Sequence, residues 1–426
     1  MCILGCLVSG LLIGIWGFYL ASIKEPVTVK AAVDYGAEAA ESSSGASIDG
    51  FKHDAPARRT KAGSGERAET APQVREGPDA ANLYAAAFGL FDSLSEQEKA
   101  ILSSPREEVD AAHAQALFDK IQPIMTLLQR AAEADYCDWG IVVAFAGPLP
   151  HIEKGAHLGK LALWNAAYRF PEEPDAALRD LAARNALGGH LGDNVFGLMV
   201  GASFERSAAA LIHEHSAWLS PATVSQADHM LASSTLATNV ARAFEAEMKY
   251  VHSFAEHLLE QSPIERVRVL NAMAEEAGRL QSLEMRALQA SLGASGDGEG
   301  RIRSELQYLQ QVESQLGEAI LWPEATFQQW WKEVQNAAEA SYPLLNSFLP
   351  DLAKARSSLQ RVHVEQTMLR AGLSVMQNGP WEIGTFLDPA SGSAFRYVPT
   401  PAGFELRSAL SYNGNSVSMN FVHGSQ

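Results

Sequence analysis

Cysteine is scarce in this chain of 426 residues, and its scarcity excludes two kinds of structure. Only three cysteines occur, and two of them, Cys2 and Cys6, lie inside the first apolar run. Cys137 is the single thiol of the remaining sequence, so an extracellular framework held by disulfides is not available. A structural zinc site built from paired cysteines is excluded for the same reason.

Basic side chains are also in short supply. Lys and Arg number 33 against 50 for Asp and Glu, which gives a formal net charge of -17 at pH 7. A nucleic-acid partner is therefore not expected, because its phosphates require clustered cations. The same balance disfavours a body that lies flat on anionic lipid.

Familiar catalytic and cofactor-binding motifs are missing as well. The chain contains no Gly-x-Ser-x-Gly elbow, phosphate-binding loop or dinucleotide fingerprint, so we predict no cofactor and no catalytic residue. The most conspicuous polar cluster is His213-Glu214-His215, but zinc-binding helices place two histidines four residues apart. His213 and His215 are therefore weak candidates for metal ligands. A cryptic metal-dependent hydrolase stays open as one hypothesis.

The chain starts with a long apolar run. Residues 2–21 carry no charge and supply the roughly 20 residues that a helix needs to cross a bilayer. A cleaved signal peptide is the competing interpretation, but no Lys or Arg precedes the run and aromatic residues end it. We predict a single-pass membrane anchor over residues 1–23, in contact with membrane lipid. Gly10 and Gly14 form a Gly-x-x-x-Gly pair that would permit self-association.

The next segment, residues 24–77, is rich in Ala, Ser, Gly, Glu and Pro and poor in large apolar residues. It buries too little apolar surface to offset its ordering entropy, so we predict a disordered linker. A flexible coil of this length has an r.m.s. span of roughly 40 Å. The linker would therefore hold the following body clear of the lipid headgroups.

Helical periodicity begins after the linker, and the predicted fold class is mainly α. The predicted parts are a helical domain at 78–292, a Gly-rich break at 293–300 and a helical continuation at 301–378. Local signals mark several helix starts: Ser95 and Glu98 form a capping box, and Ser220 precedes Pro221. The short turns predict helical hairpins arranged as a solenoid-like stack or as a bundle, and the sequence favours neither.

An aromatic run in the helical continuation is the best sequence candidate for an interaction surface. It comprises Trp322, Phe327, Trp330 and Trp331. Neighbouring helical residues point about 100° apart, so one of the two adjacent tryptophans is expected to be exposed. Core packing of the run is the competing interpretation.

Helical spacing disappears in the last segment, residues 379–426. Residues 394–398 and 404–408 alternate with a period of two and are separated by Pro and Gly, which predicts an antiparallel hairpin. Residues 416–422 would add a third strand. Because so small a sheet is not stable alone, we expect it to pack on the preceding helix, which ends near Met376.

A turn motif in this tail carries a resemblance to known proteins. Asp388-Pro389-Ala390-Ser391-Gly392, followed by Tyr397, resembles the Asp-Pro-x-x-Gly…Tyr element in the C-terminal sheets of type II secretion pseudopilins and pilin-like proteins. Pro389 fixes φ and Gly392 permits a positive φ, so the chain reverses there. The whole arrangement of anchor, linker, helical body and tail is similar to bacterial membrane-anchored helical envelope proteins. The processed helix with which true pilins begin has no counterpart in residues 1–25.

Three functional hypotheses follow. The leading one is a scaffold that is tethered to the inner membrane and binds another protein. The resemblance implies that its body lies in the periplasm. The second is a pilin- or secretion-related accessory component, which the turn motif favours. The third is the cryptic hydrolase that would use His213 or His215.

Overall fold

Local capping signals determine where several helices begin. The computed structural model describes residues 78–102, 110–134, 136–140, 149–234, 236–276, 298–412 and 414–422. The capping box is confirmed, because Ser95 Oγ accepts from the Glu98 N–H while the Glu98 carboxylate accepts from the Ser95 N–H. Ser220 caps the helix that has Pro221 at its first position.

The described chain is mainly α, with a small C-terminal sheet, as predicted. Its earlier helices are α1 (Ala80–Asp92), α2 (Glu96–Ile101), α3 (Ala111–Ala132), α4 (Pro150–Arg169), α5 (Pro174–Leu191), α6 (Val195–His215) and α7 (Pro221–Ala232). Its later helices are α8 (Leu236–Glu260), α9 (Pro263–Glu276), α10 (Gly298–Ala319), α11 (Glu324–Ser341), α12 (Pro343–Phe348) and α13 (Leu352–Asn378). Two 3-10 helices, Ser216–Trp218 and Pro380–Thr385, follow α6 and α13.

Three strands complete the fold: β1 (Arg396–Thr400), β2 (Gly403–Tyr412) and β3 (Asn415–Val422). They form an antiparallel sheet in the order β1-β2-β3, with Tyr397 opposite Leu406 and Phe404 opposite Phe421. The sheet packs on α13, as expected, and the Phe421 ring lies directly over Gly372 of that helix. Glycine is required there because an added Cβ would lie 1.9 Å from the ring.

Helix contacts between distant parts of the chain identify the body as a bundle. Helix α13 packs against α6, α7, α8 and α11 as well as the sheet, and all described residues belong to one compact unit. In a solenoid each repeat would contact only its sequence neighbours. By length and composition, one described stretch, Val195–Trp218, is apolar enough to cross a membrane, and 61% of its apolar window is buried inside the protein.

The last three residues of the predicted Gly-rich break at 293–300 are helical. Gly298 to Gly300 belong to the first turn of α10, whereas residues 293–297 lie outside the described part. Gly298 is buried, and Glu299 forms an ion pair with Arg303 one turn later, at 2.6 Å, which supports the helix start. The anchor at 1–23, the linker at 24–77, and the pair Gly10 and Gly14 also lie outside the described residues.

The buried Glu305 of α10 is expected to make the stability of the protein depend on pH. Its side chain is buried; one carboxyl oxygen accepts from the Leu345 N–H at 2.8 Å, and the other has no hydrogen-bond partner among the described residues. Burial raises its pKa from 4.5 to about 7, against the opposing effect of the backbone hydrogen bonds. The folded state therefore binds this proton more tightly than the unfolded state, so the stabilisation is complete below pH 4.5 and is lost as pH rises to about 7.

We expect Glu305→Gln to flatten this dependence. Between about pH 5 and about pH 8, the free energy of unfolding of the variant should fall by about 2–3 kcal/mol less than that of the wild type. Urea unfolding of both proteins at the two pH values measures the difference. Equal falls in the two proteins would show that Glu305 titrates normally.

Candidate functional site

The two candidate metal-binding histidines, His213 and His215, contact different parts of the protein. His213 Nε2 donates to the Asn420 carbonyl of β3 at 2.7 Å, and burial lowers the pKa of His213. The His215 ring stacks on Phe170, with ring centroids 4.5 Å apart. Among the described residues, no group of three His, Cys, Asp or Glu side chains is placed to hold a metal ion. The contact of His213 with β3 instead attaches α6 to the outer strand of the sheet.

The aromatic run, with Trp322 just before α11 and the other three residues in that helix, lies partly in the core. Phe327 and Trp331 have no exposed area and belong to the cluster between α8, α10 and α13. Trp322 and Trp330 are partly buried, and the Trp330 indole N–H donates to Gln315 at 3.0 Å. The predicted interaction surface therefore reduces to Trp322 and Trp330, because the other two rings face inward.

The Asp388 turn has the structural role that its residue types predict. Gly392 adopts a φ of +69°, and its N–H donates to the Asp388 carbonyl at 2.8 Å. The buried Asp388 carboxylate accepts from Ser408 Oγ at 2.9 Å, which fastens the turn to β2. Tyr397 stacks on Phe404, with centroids 5.2 Å apart. These contacts hold the small sheet together.

Large apolar side chains that sequence reasoning missed are exposed beside this sheet. Trp218 ends the 3-10 helix that contacts β3 and is 76% exposed, and Trp381, in the 3-10 helix that packs on α13, is 74% exposed. Leu387, before β1, and Val422, at the end of β3, are 57% and 55% exposed. We call these four the sheet-side apolar residues.

The Trp381 ring packs against the backbone at Gly379 and stays exposed to solvent. The ring lies over Gly379, where an added Cβ would be 2.3 Å from it. Gly379 has a φ of +103°, which lets the chain turn sharply out of α13 into the 3-10 helix. Trp218 is steadied by the neighbouring His215 ring, with centroids 6.2 Å apart. A tryptophan in a turn between regular elements was the sequence signal that would have identified both residues.

Charge around the sheet is low and mostly paired. Residues 379–426 carry three acidic and two basic side chains, so almost all of the net charge of -17 belongs to the rest of the chain. Arg370 of α13 pairs with Asp228 at 2.7 Å, and Arg361 pairs with Glu365 at 2.7 Å. Three of the four sheet-side apolar residues, Trp381, Leu387 and Val422, therefore lie in a nearly neutral segment of an acidic protein.

The fold and this surface define a class: a mainly α bundle whose last helix carries a three-stranded sheet with exposed aromatic residues beside it. Comparison of the chain with protein-family models, with curated proteins and with solved structures gives no match.

Proposed function

We propose that the protein is a membrane-tethered scaffold that binds another protein through the sheet-side apolar residues. The observation that carries this proposal is the exposure of two tryptophans: Trp218, in the 3-10 helix that contacts β3, and Trp381, in the 3-10 helix that packs on α13. Tryptophan is enriched at protein interfaces because it offers a large rigid surface at low entropic cost, and such residues contribute a large share of binding energy.

The low charge of this region supports a protein as the partner. The centre of a protein interface is depleted in charged residues and enriched in aromatic ones. The tail meets both conditions, whereas the rest of the chain carries most of the negative charge and repels other acidic proteins. A partner with an apolar patch bordered by neutral or basic residues fits this surface.

The tether is the second part of the proposal and depends on residues 2–21. Their uncharged apolar run supports an anchor in the inner membrane, and the resemblance of the tail supports a periplasmic body. Pairing of two such anchors through Gly10 and Gly14 would bring two bodies together. Recovery of the mature chain in a salt-washed soluble fraction, with a new N-terminus beyond Ala21, would refute the tether.

Site-specific photo-crosslinking tests the binding surface. We would place a benzophenone-bearing amino acid at Trp218 or Trp381 of the full chain in its native membranes and irradiate the cells. The matched control is Ile264, which is 84% exposed at the start of α9 and belongs neither to the sheet-side apolar residues nor to the aromatic run. We expect one discrete crosslinked protein from each sheet-side position and none from the control.

The identity of the crosslinked product shows whether the partner is a different protein or a second copy of this chain. A product that contains only this chain at twice its mass would make the partner a second copy. Equal products from Ile264 and from the two sheet-side positions, or none at all, would contradict a specific binding surface.

A secretion-related accessory component is the second candidate, and the geometry of the Asp388–Gly392 turn favours it. The turn and Tyr397 together fasten the sheet, the part of the chain that resembles pseudopilins. A crosslinked partner that belongs to a secretion or pilus machine would favour this narrower function over a general scaffold.

A further inference from the structure

A cleft lies between α5 and α7, and none of the sheet-side apolar residues lines it. Its volume is about 340 Å³, within the range of roughly 300–1,000 Å³ that is usual for small-ligand sites. Leu178, Ala182, Ala186 and Met230 supply its apolar wall. The two alanines are small, which leaves space between the helices.

A buried carboxylate lines this cleft. Glu205 of α6 is 3% exposed, and its Oε2 accepts from Ser234 Oγ at 2.6 Å and from Gln366 Nε2 at 2.7 Å. Within the described part of the chain, Glu205 forms no ion pair and no residue donates to its Oε1, while the adjacent Arg206 pairs with Glu365. Burial raises the pKa of Glu205, and the two hydrogen bonds oppose that rise. The cleft therefore holds a buried carboxylate that no cation of the described residues pairs with.

The cleft contains a second buried acceptor. The Asn185 Oδ1 atom accepts no hydrogen bond from any residue that the structure describes. A buried acceptor without a donor costs free energy, and a ligand that donates a hydrogen bond would remove that cost. Asn185 Oδ1 and the Glu205 carboxylate thus favour a ligand that carries several N–H donors.

The charged and polar groups at the exposed rim of the cleft restrict the class of ligand further. Arg179 and His229 are exposed there, and Gln226 is half-buried. The Arg179 guanidinium would repel a positive charge at the outer end of a ligand, whereas it would not repel an uncharged alkyl end. The rim therefore disfavours a diamine.

We propose that this cleft binds a small organic monoammonium ion, whose ammonium group donates to Glu205 and Asn185. Its alkyl chain would lie along Leu178, Ala182, Ala186 and Met230. A buried carboxylate is most stable when a cation pairs with it and hydrogen bonds satisfy it, and an ammonium group supplies both. This proposal does not depend on the protein-binding function.

Saturation-transfer difference NMR on the full chain in a nonionic detergent tests the site, with n-butylammonium chloride as the probe. At about pH 8 an alkylamine stays protonated, since such amines titrate near the lysine value of about 10.4. We expect transfer to the methyl protons of n-butylammonium and clearly weaker transfer to n-butanol, butyrate and 1,4-diaminobutane at equal concentration. No transfer to n-butylammonium, or equal transfer to n-butanol, would overturn the proposal.

Three variants make the test specific to the cleft. Glu205→Gln keeps an oxygen acceptor for Ser234 and Gln366, and we expect it to weaken n-butylammonium binding at least about tenfold. Ala182→Leu fills the cleft and should also weaken binding. Because Ala182 is at an exposed helix position, this variant keeps the test valid if Glu205→Gln folds poorly. Glu245→Gln removes an exposed carboxylate of α8 and should change nothing. Unchanged binding in both cleft variants would show that the ligand lies elsewhere.

Discussion

Gly201→Ala is expected to destabilise the protein by about 3 kcal/mol, at the upper end of what overpacking usually costs. Gly201 of α6 crosses Gly188 of α5, and an added Cβ would lie 2.8 Å from the Gly188 carbonyl oxygen. That neighbour is backbone, so the two helices must separate, which weakens the packing around Phe204 and Leu187. Gly197→Ala should behave in the same way, because its Cβ would lie 1.8 Å from the Leu191 carbonyl oxygen.

The same chemical change elsewhere in a helix provides the control. At Gly317 of α10 and Gly89 of α1, an added Cβ would have no described atom within 4 Å beyond its own helix backbone. Alanine is the better helix former, so each replacement should stabilise the protein by about 0.5–1 kcal/mol. Urea unfolding of the full chain, followed by circular dichroism, measures all four variants. A stabilising Gly201→Ala would show that α5 and α6 do not cross closely.

Features specified within a few residues were predictable from the sequence. The capping box at Ser95, the proline start at Pro221 and the positive φ at Gly392 depend only on neighbouring residues, and all three are present. The end of α13 at Asn378 and the strands of the tail likewise follow local changes in periodicity and turn residues.

Features that depend on distant partners were not predictable. Periodicity could not show that Phe327 and Trp331 face the core while Trp218 and Trp381 stay exposed, because each outcome depends on elements far along the chain. In the sequence, Glu205 precedes Arg206 and Ser207, a polar stretch that is typical of an exposed helix face. Its burial depends on Gln366, which is 161 residues away.

The choice between bundle and solenoid has the same physical origin. Both arrangements need helices with one apolar face and short turns, so their sequence patterns coincide. Only the packing of α13 against α6 and α8, and the sheet that it carries, distinguishes them. Such contacts join residues separated by more than a hundred positions, for example Arg206 and Glu365.

Asp388→Ala is expected to cost about 3 kcal/mol, because it leaves buried hydrogen-bond donors without an acceptor. The Asp388 carboxylate accepts from Ser408 Oγ at 2.9 Å, from the Ala409 N–H at 2.7 Å and from the Ala390 N–H at 3.0 Å. Alanine cannot replace any of these bonds, so the turn before β1 would lose its attachment to β2. Urea unfolding of the full chain measures the loss.

Two further variants separate the role of the charge from that of the hydrogen bonds. Asp388→Asn keeps the shape but turns one acceptor into a donor, so we expect roughly half the loss, or about 1–2 kcal/mol. Asp92→Ala removes an exposed carboxylate that pairs with Lys154 at 2.7 Å, and its expected effect is below about 1 kcal/mol. An Asp388→Ala variant as stable as Asp92→Ala would mean that other contacts, such as those of Phe421 with α13 and of His213 with Asn420, hold the sheet without Asp388. The expected order instead assigns to Asp388 the attachment of the turn before β1 to β2.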